Sequence, residues 1–398
     1  MMNVASASLL YYLPLITHYL SLKNMTALRE WIRTHLKGDR QIWWIVLYLS
    51  IMSVLVVYSA TGTKAFRELD GNTETFLLKH GSLLLIGLAC TYFAHKINYV
   101  YYARLSKFGL WLSVPLLLWA FFKGSTLNDA SRWVTIPIIN QTFQPSDLAK
   151  LALISNLAAM LAKRQRFMND PTVLFNLILW IGLICSLIIL SNTSTALLLG
   201  ATCFLLMYIG RVPVRYLGYM IAVCVVFGGI GLAAGQRLGT AVNRVKSFSN
   251  KDTIVYQVEQ SYIALANGGL TGQGPGNSHQ RNTLPNPFSD FIYAIIVEEY
   301  GLLLGGIPVV LAYIWFLWRG MKTLQRATRP FGGLLSAGLT FSIVFQAFAS
   351  ICVAIGLAPV TGQPLPLLSM GGTSLIFTGL AVGIILSVSR EEADESKI

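Results

Sequence analysis

Long apolar runs joined by short polar tethers make up most of the chain. A helix needs roughly 20 apolar residues to cross the hydrocarbon core of a bilayer. Ten runs approach that length: Ile42–Ala60, Phe76–Ala94, Leu105–Phe122, Leu148–Ala162, Val173–Leu190, Thr195–Ile209, Tyr216–Ala234, Phe291–Trp318, Gly332–Leu357 and Gly371–Val388. The fourth and sixth are short, which predicts tilted or broken helices. The pattern predicts an all-α polytopic membrane protein of about ten transmembrane helices over 42–389. A long outward-facing loop, 235–290, separates the seventh span from the eighth, with 1–41 a cytoplasmic N-terminal segment and 390–398 a cytoplasmic tail.

The tethers set the orientation. Arg29, Arg33, Lys37 and Arg40 precede the first run, Lys163, Arg164 and Arg166 follow the fourth, Arg211 and Arg215 follow the sixth, and Arg319, Lys322, Arg326 and Arg329 follow the eighth. Every second tether is strongly basic and the others are not, so the positive-inside rule places both termini in the cytoplasm. An even number of spans agrees with that.

Composition adds the solvent and removes several function classes. With 54% hydrophobic and 12% charged residues, the chain carries more apolar surface than one soluble core can hide. The net charge of +13 would suit a nucleic-acid binder, but the cations recur in tethers rather than forming one basic face with stacking aromatics. Cys90, Cys185, Cys203, Cys224 and Cys352 all sit in apolar runs without metal-site spacing, so neither a disulfide framework nor a zinc site is indicated. The run Leu9–Leu20 is short and lacks a preceding basic region, unlike a secretory signal, and Met25 is an alternative start.

Three outward segments remain: Lys123 to Asp147, Gly235 to Asp290, and Ala358 to Met370 with Pro359, Pro364 and Pro366. Long loops of this kind are usually functional or disordered. The richest stretch, QVEQSYIALANGGLTGQGPGNSHQRNTLPNPFSDFIYAIIVEEYG over 257–301, passes from an amphipathic helix through a glycine-rich loop to an acid at a helix start. Gly268, Gly269, Gly272, Gly274 and Gly276 suit either a phosphate-cradling nest or a merely flexible loop. Asp290 suits either a helix cap or a reactive carboxylate at the outer interface near Arg281.

Glu298 and Glu299 lie roughly 12 Å deeper at 1.5 Å per residue. Acids inside a span are costly and are usually paired or functional. Asp147 and Lys150 share a helical face at i, i+3, and Lys150 is the expected ion-pair partner of Glu298 or Glu299. Arg132-Trp133 reads as an interfacial anchor or as a guanidinium fork for a diphosphate. No Walker loop, HExxH or nucleophile elbow is present in the sequence.

Four ordered blocks, RWVTIPIINQTFQPSDLAKLAL, GGLTGQGPGNS, SDFIYAIIVEEYG and APVTGQPLPLLSMGGTSL, resemble the SEDS family of shape, elongation, division and sporulation proteins from about Ile42 to Ser389. The GPGNS loop resembles the division branch more than the elongation branch. Asp147 stands where the family usually has Glu, Asn192 where it has Asp, Phe288-Ser289 for His-Thr, and Met370 for a frequent Tyr.

The resemblance implies polymerisation of lipid II, a lipid diphosphate disaccharide-pentapeptide, into glycan strands at the septum of the bacterial inner membrane. It implies a class B penicillin-binding transpeptidase and divisome proteins as partners, and Asp290 as the catalytic base. It carries substrate contact to Arg132, Arg281, Gln260, Ser261, Gly274, Gly276, Ser369 and Thr373. A divalent cation, Mg or Mn, could share the diphosphate's charge, although no ligand cluster is visible. A lipid II flippase, a scaffold for the transpeptidase, and an elongation-type polymerase are the rival readings. A flippase calls for a polar path through the bilayer centre, whereas the polar residues here gather toward the outer loops.

Overall fold

The computed structural model describes residues 30, 34–68, 73–123, 125–127, 130–136, 141–163, 171–234, 238–249 and 255–395. The Leu9–Leu20 run, Met25, Arg29, Arg33, Arg164 and Arg166 lie outside them. A helix occurs at each of the ten expected runs: α1 Arg40–Glu68, α2 Thr73–Lys96, α3 Val100–Lys123, α4 Pro145–Lys163, α5 Pro171–Ile189, α6 Thr193–Ile209, α7 Val214–Ala234, a broken helix made of α10 Ile292–Gly301 and α11 Ile307–Arg326, α12 Pro330–Ala354 and α13 Thr373–Glu395. The stretch 235–290 contains two further helices, α8 Leu238–Ser249 and α9 Tyr256–Gly268.

Among the described residues, six helices are long and apolar enough to cross a membrane: Arg40–Gly62, Phe76–Lys96, Val100–Phe122, Ile292–Arg326, Pro330–Ala354 and Thr373–Glu391. Three shorter apolar helices, Leu174–Ile189, Thr193–Ile209 and Val214–Ile230, accompany them. The stretch between α3 and α4 adds a three-stranded antiparallel sheet, β1 Ser125–Leu127, β2 Ala130–Ile136 and β3 Gln141–Phe143. Its strands are three to seven residues long, so no apolar run announced them.

The helix starts follow local chemistry. Proline, which needs no N–H partner in the first turn, opens α4, α5 and α12. Asn192 caps α6, its Oδ1 accepting the Thr195 N–H at 3.2 Å. The position where the family's acid is replaced thus serves a helix terminus, for which Asn is as good as Asp.

Between helices in lipid, apolar burial drives little, and close packing of small residues takes over. The α2–α13 seam is of that kind. Thr91 Oγ1 donates to the Gly379 carbonyl at 2.9 Å across the seam, and a Cβ on Gly379 would run into the Gly87 carbonyl. Opposite the glycine-rich loop, the starts and ends of α1, α2, α11 and α13 converge on a basic face. There Arg319 pairs with Asp39, the Asp39 N–H is held by Ser389 Oγ at 3.0 Å, and Arg390 donates to the Lys96 carbonyl at 2.8 Å.

The helix expected over Phe291–Trp318 is interrupted at Gly301 (φ +74°) and passes through a π turn, Leu302–Gly306, into α11. Non-helical backbone at membrane depth is tolerated only where protein satisfies it. The segment Gly269–Gly274 does so: Gln273 and Gly274 donate N–H groups to the carbonyls of Glu298 and Glu299, both at 2.9 Å, while Leu302 and Leu303 donate to Gly269 and Leu270 at 3.0 and 3.1 Å. The fit needs two glycines facing each other. A Cβ on Gly272 (φ +82°) would meet the Glu299 carbonyl, and one on Gly301 would meet the Leu270 carbonyl.

Candidate active site

Four pieces of chain meet on this side of the molecule: α8, the loop 269–290 with the head of α10, the proline-rich segment 358–370, and α9 between them. The two buried glutamates organise the first contacts. Glu298, wholly buried, accepts the Ser278 hydroxyl, the backbone N–H groups of His279 and Gln280 at 3.1 and 3.3 Å, and the Asn267 amide at 3.4 Å. An ionised carboxylate in a span is tolerable only when its lone pairs are filled this way. Glu299 accepts the Ser59 hydroxyl from α1 and a Gly276 N–H. Arg281 lies close enough to act on it electrostatically and donates Nη1 to the Ser59 carbonyl and Oγ at 3.3 and 3.2 Å.

The expected pairing of Lys150 with Glu298 or Glu299 is therefore corrected. Lys150 Nζ binds Asp147 Oδ1 at 2.9 Å and Gln346 Oε1 at 3.1 Å. The i, i+3 carboxylate is within reach of the lysine, and Glu298 already accepts from Ser278, His279, Gln280 and Asn267. The nest reading of Gly274 and Gly276 is corrected for the same reason: their N–H groups point at the Glu299 carbonyl and carboxylate.

Other candidate residues also have internal duties. Ser261 Oγ donates to the Ala354 carbonyl at 2.7 Å, tying α9 to α12. Thr373 Oγ1 accepts the Gln144 N–H at 3.3 Å. Ser369 Oγ accepts the Leu365 N–H at 2.8 Å and donates to the Ser289 carbonyl at 2.6 Å. Gln260 is half-buried on α9. Arg132 lies in β2, and its side chain is outside the described ones.

Asp290 is placed differently from all of these. The capping position of α10 is Phe291, one residue after Asp290, and Phe291 makes no side-chain cap hydrogen bond. Its Oδ1 accepts the Ser289 hydroxyl at 3.0 Å, and its charge faces Arg244 of α8. Burial pushes the Arg244 guanidinium below its ordinary pKa, and Asp290 opposes that shift. Arg244 in turn lines a cavity of about 740 Å³ formed with Tyr256, Gln257 and Tyr262 of α8's neighbour α9, with Pro285, and with Pro359 of the proline-rich segment. That volume falls within the roughly 300–1,000 Å³ typical of small-molecule sites.

A guanidinium lining such a cavity can stabilise an anion there, and a carboxylate facing that guanidinium can take a proton from a hydroxyl. Sequence reasoning missed Arg244, which reads there as one of four cations, with Arg237, Lys246 and Lys251, in a polar outer stretch. Its amphipathic setting was the only available signal. Among the described residues, no group of three or more His, Cys, Asp or Glu side chains stands close enough to hold a metal ion.

Comparison with known proteins agrees with this architecture. Residues 39–394 match the family profile described as cell cycle protein and named for FtsW, RodA and SpoVE. The chain is 31% identical over 358 residues to "Probable peptidoglycan glycosyltransferase FtsW" of Geobacter metallireducens, covering 88% of this chain and 94% of that relative. It is 30% identical over 356 residues to stage V sporulation protein E of Bacillus subtilis, covering 87% and 95%. Among solved structures, a chain from a peptidoglycan synthase complex that coordinates polymerization and crosslinking shares the fold, with a TM-score of 0.67 at 23% identity over 89% of this chain and 98% of that one. With the profile running from Asp39 to Ala393 and one residue beyond, the chain belongs to the FtsW, RodA and SpoVE family of cell cycle proteins.

Proposed function

We propose that the protein is a peptidoglycan glycosyltransferase that polymerises lipid II, and that Asp290 is its catalytic base. One observation carries the assignment: the Asp290 carboxylate faces a half-buried guanidinium that lines a large cavity. Asp290 takes the proton of the acceptor sugar hydroxyl as its oxygen attacks the anomeric carbon of the donor. The new glycosidic bond forms as the bond from that carbon to the diphosphate oxygen breaks. The lipid diphosphate departs with the electron pair, and an α-linked donor gives a β-1,4 link. Diphosphate needs no proton to leave if its charge is stabilised, so one carboxylate suffices where a glycosidase uses two. Arg244 supplies the stabilising charge, and a Mg or Mn ion arriving with the diphosphate would add to it.

We read the chain as ten spans over 42–389 with both termini cytoplasmic, a reading supported by the alternating basic tethers; the cavity then opens on the outer side of the bacterial inner membrane, with 235–290 as the periplasmic loop. The GPGNS loop supports action at the division septum, with a class B penicillin-binding transpeptidase and divisome proteins as partners. The test is polymerisation of labelled lipid II by the purified protein with its transpeptidase. Asp290→Asn keeps the side chain's size while removing its basicity, and a loss of roughly 10²–10⁴ in rate is expected from a folded, partner-binding protein. A near wild-type rate would move the base elsewhere.

A further inference from the structure

The segment that grips the residues before Asp290 is itself held from the far side by a buried serine and histidine that the reaction does not otherwise use. Met370 donates its N–H to the Phe288 carbonyl at 2.9 Å and Ser369 Oγ donates to the Ser289 carbonyl at 2.6 Å, so residues 369–370 fix the two residues before Asp290. Just upstream, Leu367 is a buried non-glycine residue at φ +64°. That conformation persists only where the surroundings impose it.

Part of that constraint comes from Ser53 on α1. Its Oγ donates to the Leu368 carbonyl at 2.8 Å and stands 2.8 Å from His80 Nε2 on α2, and both side chains are wholly buried. Proton accounting settles the donors. A serine hydroxyl has one hydrogen, and the Leu368 carbonyl can only accept, so Ser53 spends its hydrogen there. His80 Nε2 must then carry the proton that Ser53 Oγ accepts. The imidazole is thereby the Nε2–H tautomer, and its Nδ1 has no partner among the described residues. A buried polar atom left open costs stability, so a side chain chosen only for stability would not be expected there.

We propose that His80 and Ser53 are positioning residues for the reaction. His80 locks the Ser53 hydroxyl onto the Leu368 carbonyl, and the strained segment 367–370 transmits that register to Asp290. The proposal rests on the reading of Asp290 as the base.

The experiment compares steady-state lipid II polymerisation by Ser53→Ala, His80→Leu and His80→Gln, each as full-length protein with its transpeptidase, alongside Asp290→Asn. Displacing a reacting group by about 1 Å can cost on the order of 10²-fold. Ser53→Ala and His80→Leu are therefore expected to lower kcat by about 10- to 100-fold with KM within about twofold of wild type. His80→Gln, whose amide can place an N–H where Nε2 stands, is expected to recover most of the rate.

Wild-type kcat in Ser53→Ala and His80→Leu, with Asp290→Asn inactive, would overturn the positioning role alone. A loss confined to KM, or one that merely follows the amount of folded protein on size exclusion and is equal in His80→Gln, would also overturn it. An active Asp290→Asn would instead remove the base assignment, which the same assay reads separately.

Discussion

At the scale of single residues, the site depends on which charges are already engaged. Glu298, Glu299, Lys150 and Arg281 all lie near sequence blocks that carry function, yet each is engaged with neighbouring groups inside the protein. Arg244 differs, because it faces the proposed base and its guanidinium lines the cavity. Removing a preorganised donor from a developing anion costs on the order of 10²–10³ in kcat. Arg244→Ala is therefore expected to lose that much in lipid II polymerisation. Arg244→Lys should recover only part, since an ammonium cannot reproduce a planar two-point contact with phosphate oxygens. Full activity in Arg244→Ala would assign the diphosphate to another cation. In the sequence Asp290 stands out by its place before an apolar run, and the resemblance rather than the pattern points to it as the base. The sequence could not single out Arg244, or redirect Lys150 to Asp147, because those outcomes depend on which elements the fold sets side by side.

Among elements, a helix formed at each apolar run, because length and hydropathy are local properties. The small sheet was not legible, because its strands are only three to seven residues long, and the break at Gly301 with its filling by 269–274 was not, because each is satisfied by backbone from the other segment. The glycines of that loop now separate into two kinds. A Cβ on Gly272 collides with the Glu299 carbonyl, whereas one on Gly276 (φ +80°) meets open space. Gly276→Ala should cost only the left-handed backbone penalty, about 1–2 kcal/mol. Gly272→Ala adds a backbone collision that only withdrawal of the loop can relieve. Thermal unfolding in detergent should show a clearly lower midpoint for Gly272→Ala than for Gly276→Ala, with activity lost in step. Equal midpoints would mean that the loop does not plug the helix break.

Over the whole molecule, charge is sorted by face. The ends of α1, α2, α11 and α13 gather Arg40, Lys96, Arg319 and Arg390 at one side, opposite the glycine-rich loop. A bilayer with anions on its cytoplasmic side would hold that face inward. In a variant without native cysteines, Gln273→Cys and Gln325→Cys, both at exposed positions, should differ in labelling by an impermeant thiol reagent on intact spheroplasts. Gln273→Cys is expected to react and Gln325→Cys to be protected, and equal reaction from outside would overturn the orientation.

The plugged break in the helix also bears on how the chain is made. Carbonyls of Glu298 and Glu299 opened by the break would be stranded in hydrocarbon, where an unmet peptide group costs several kcal/mol. The strip that closes them, 269–274, precedes 292–306 in the chain and so leaves the ribosome first. Synthesis thus delivers the filler ahead of the gap, and the interrupted helix can be completed as it enters the bilayer rather than waiting for a later segment. Moving the same loop behind α11 by circular permutation would keep every contact and reverse that order of arrival.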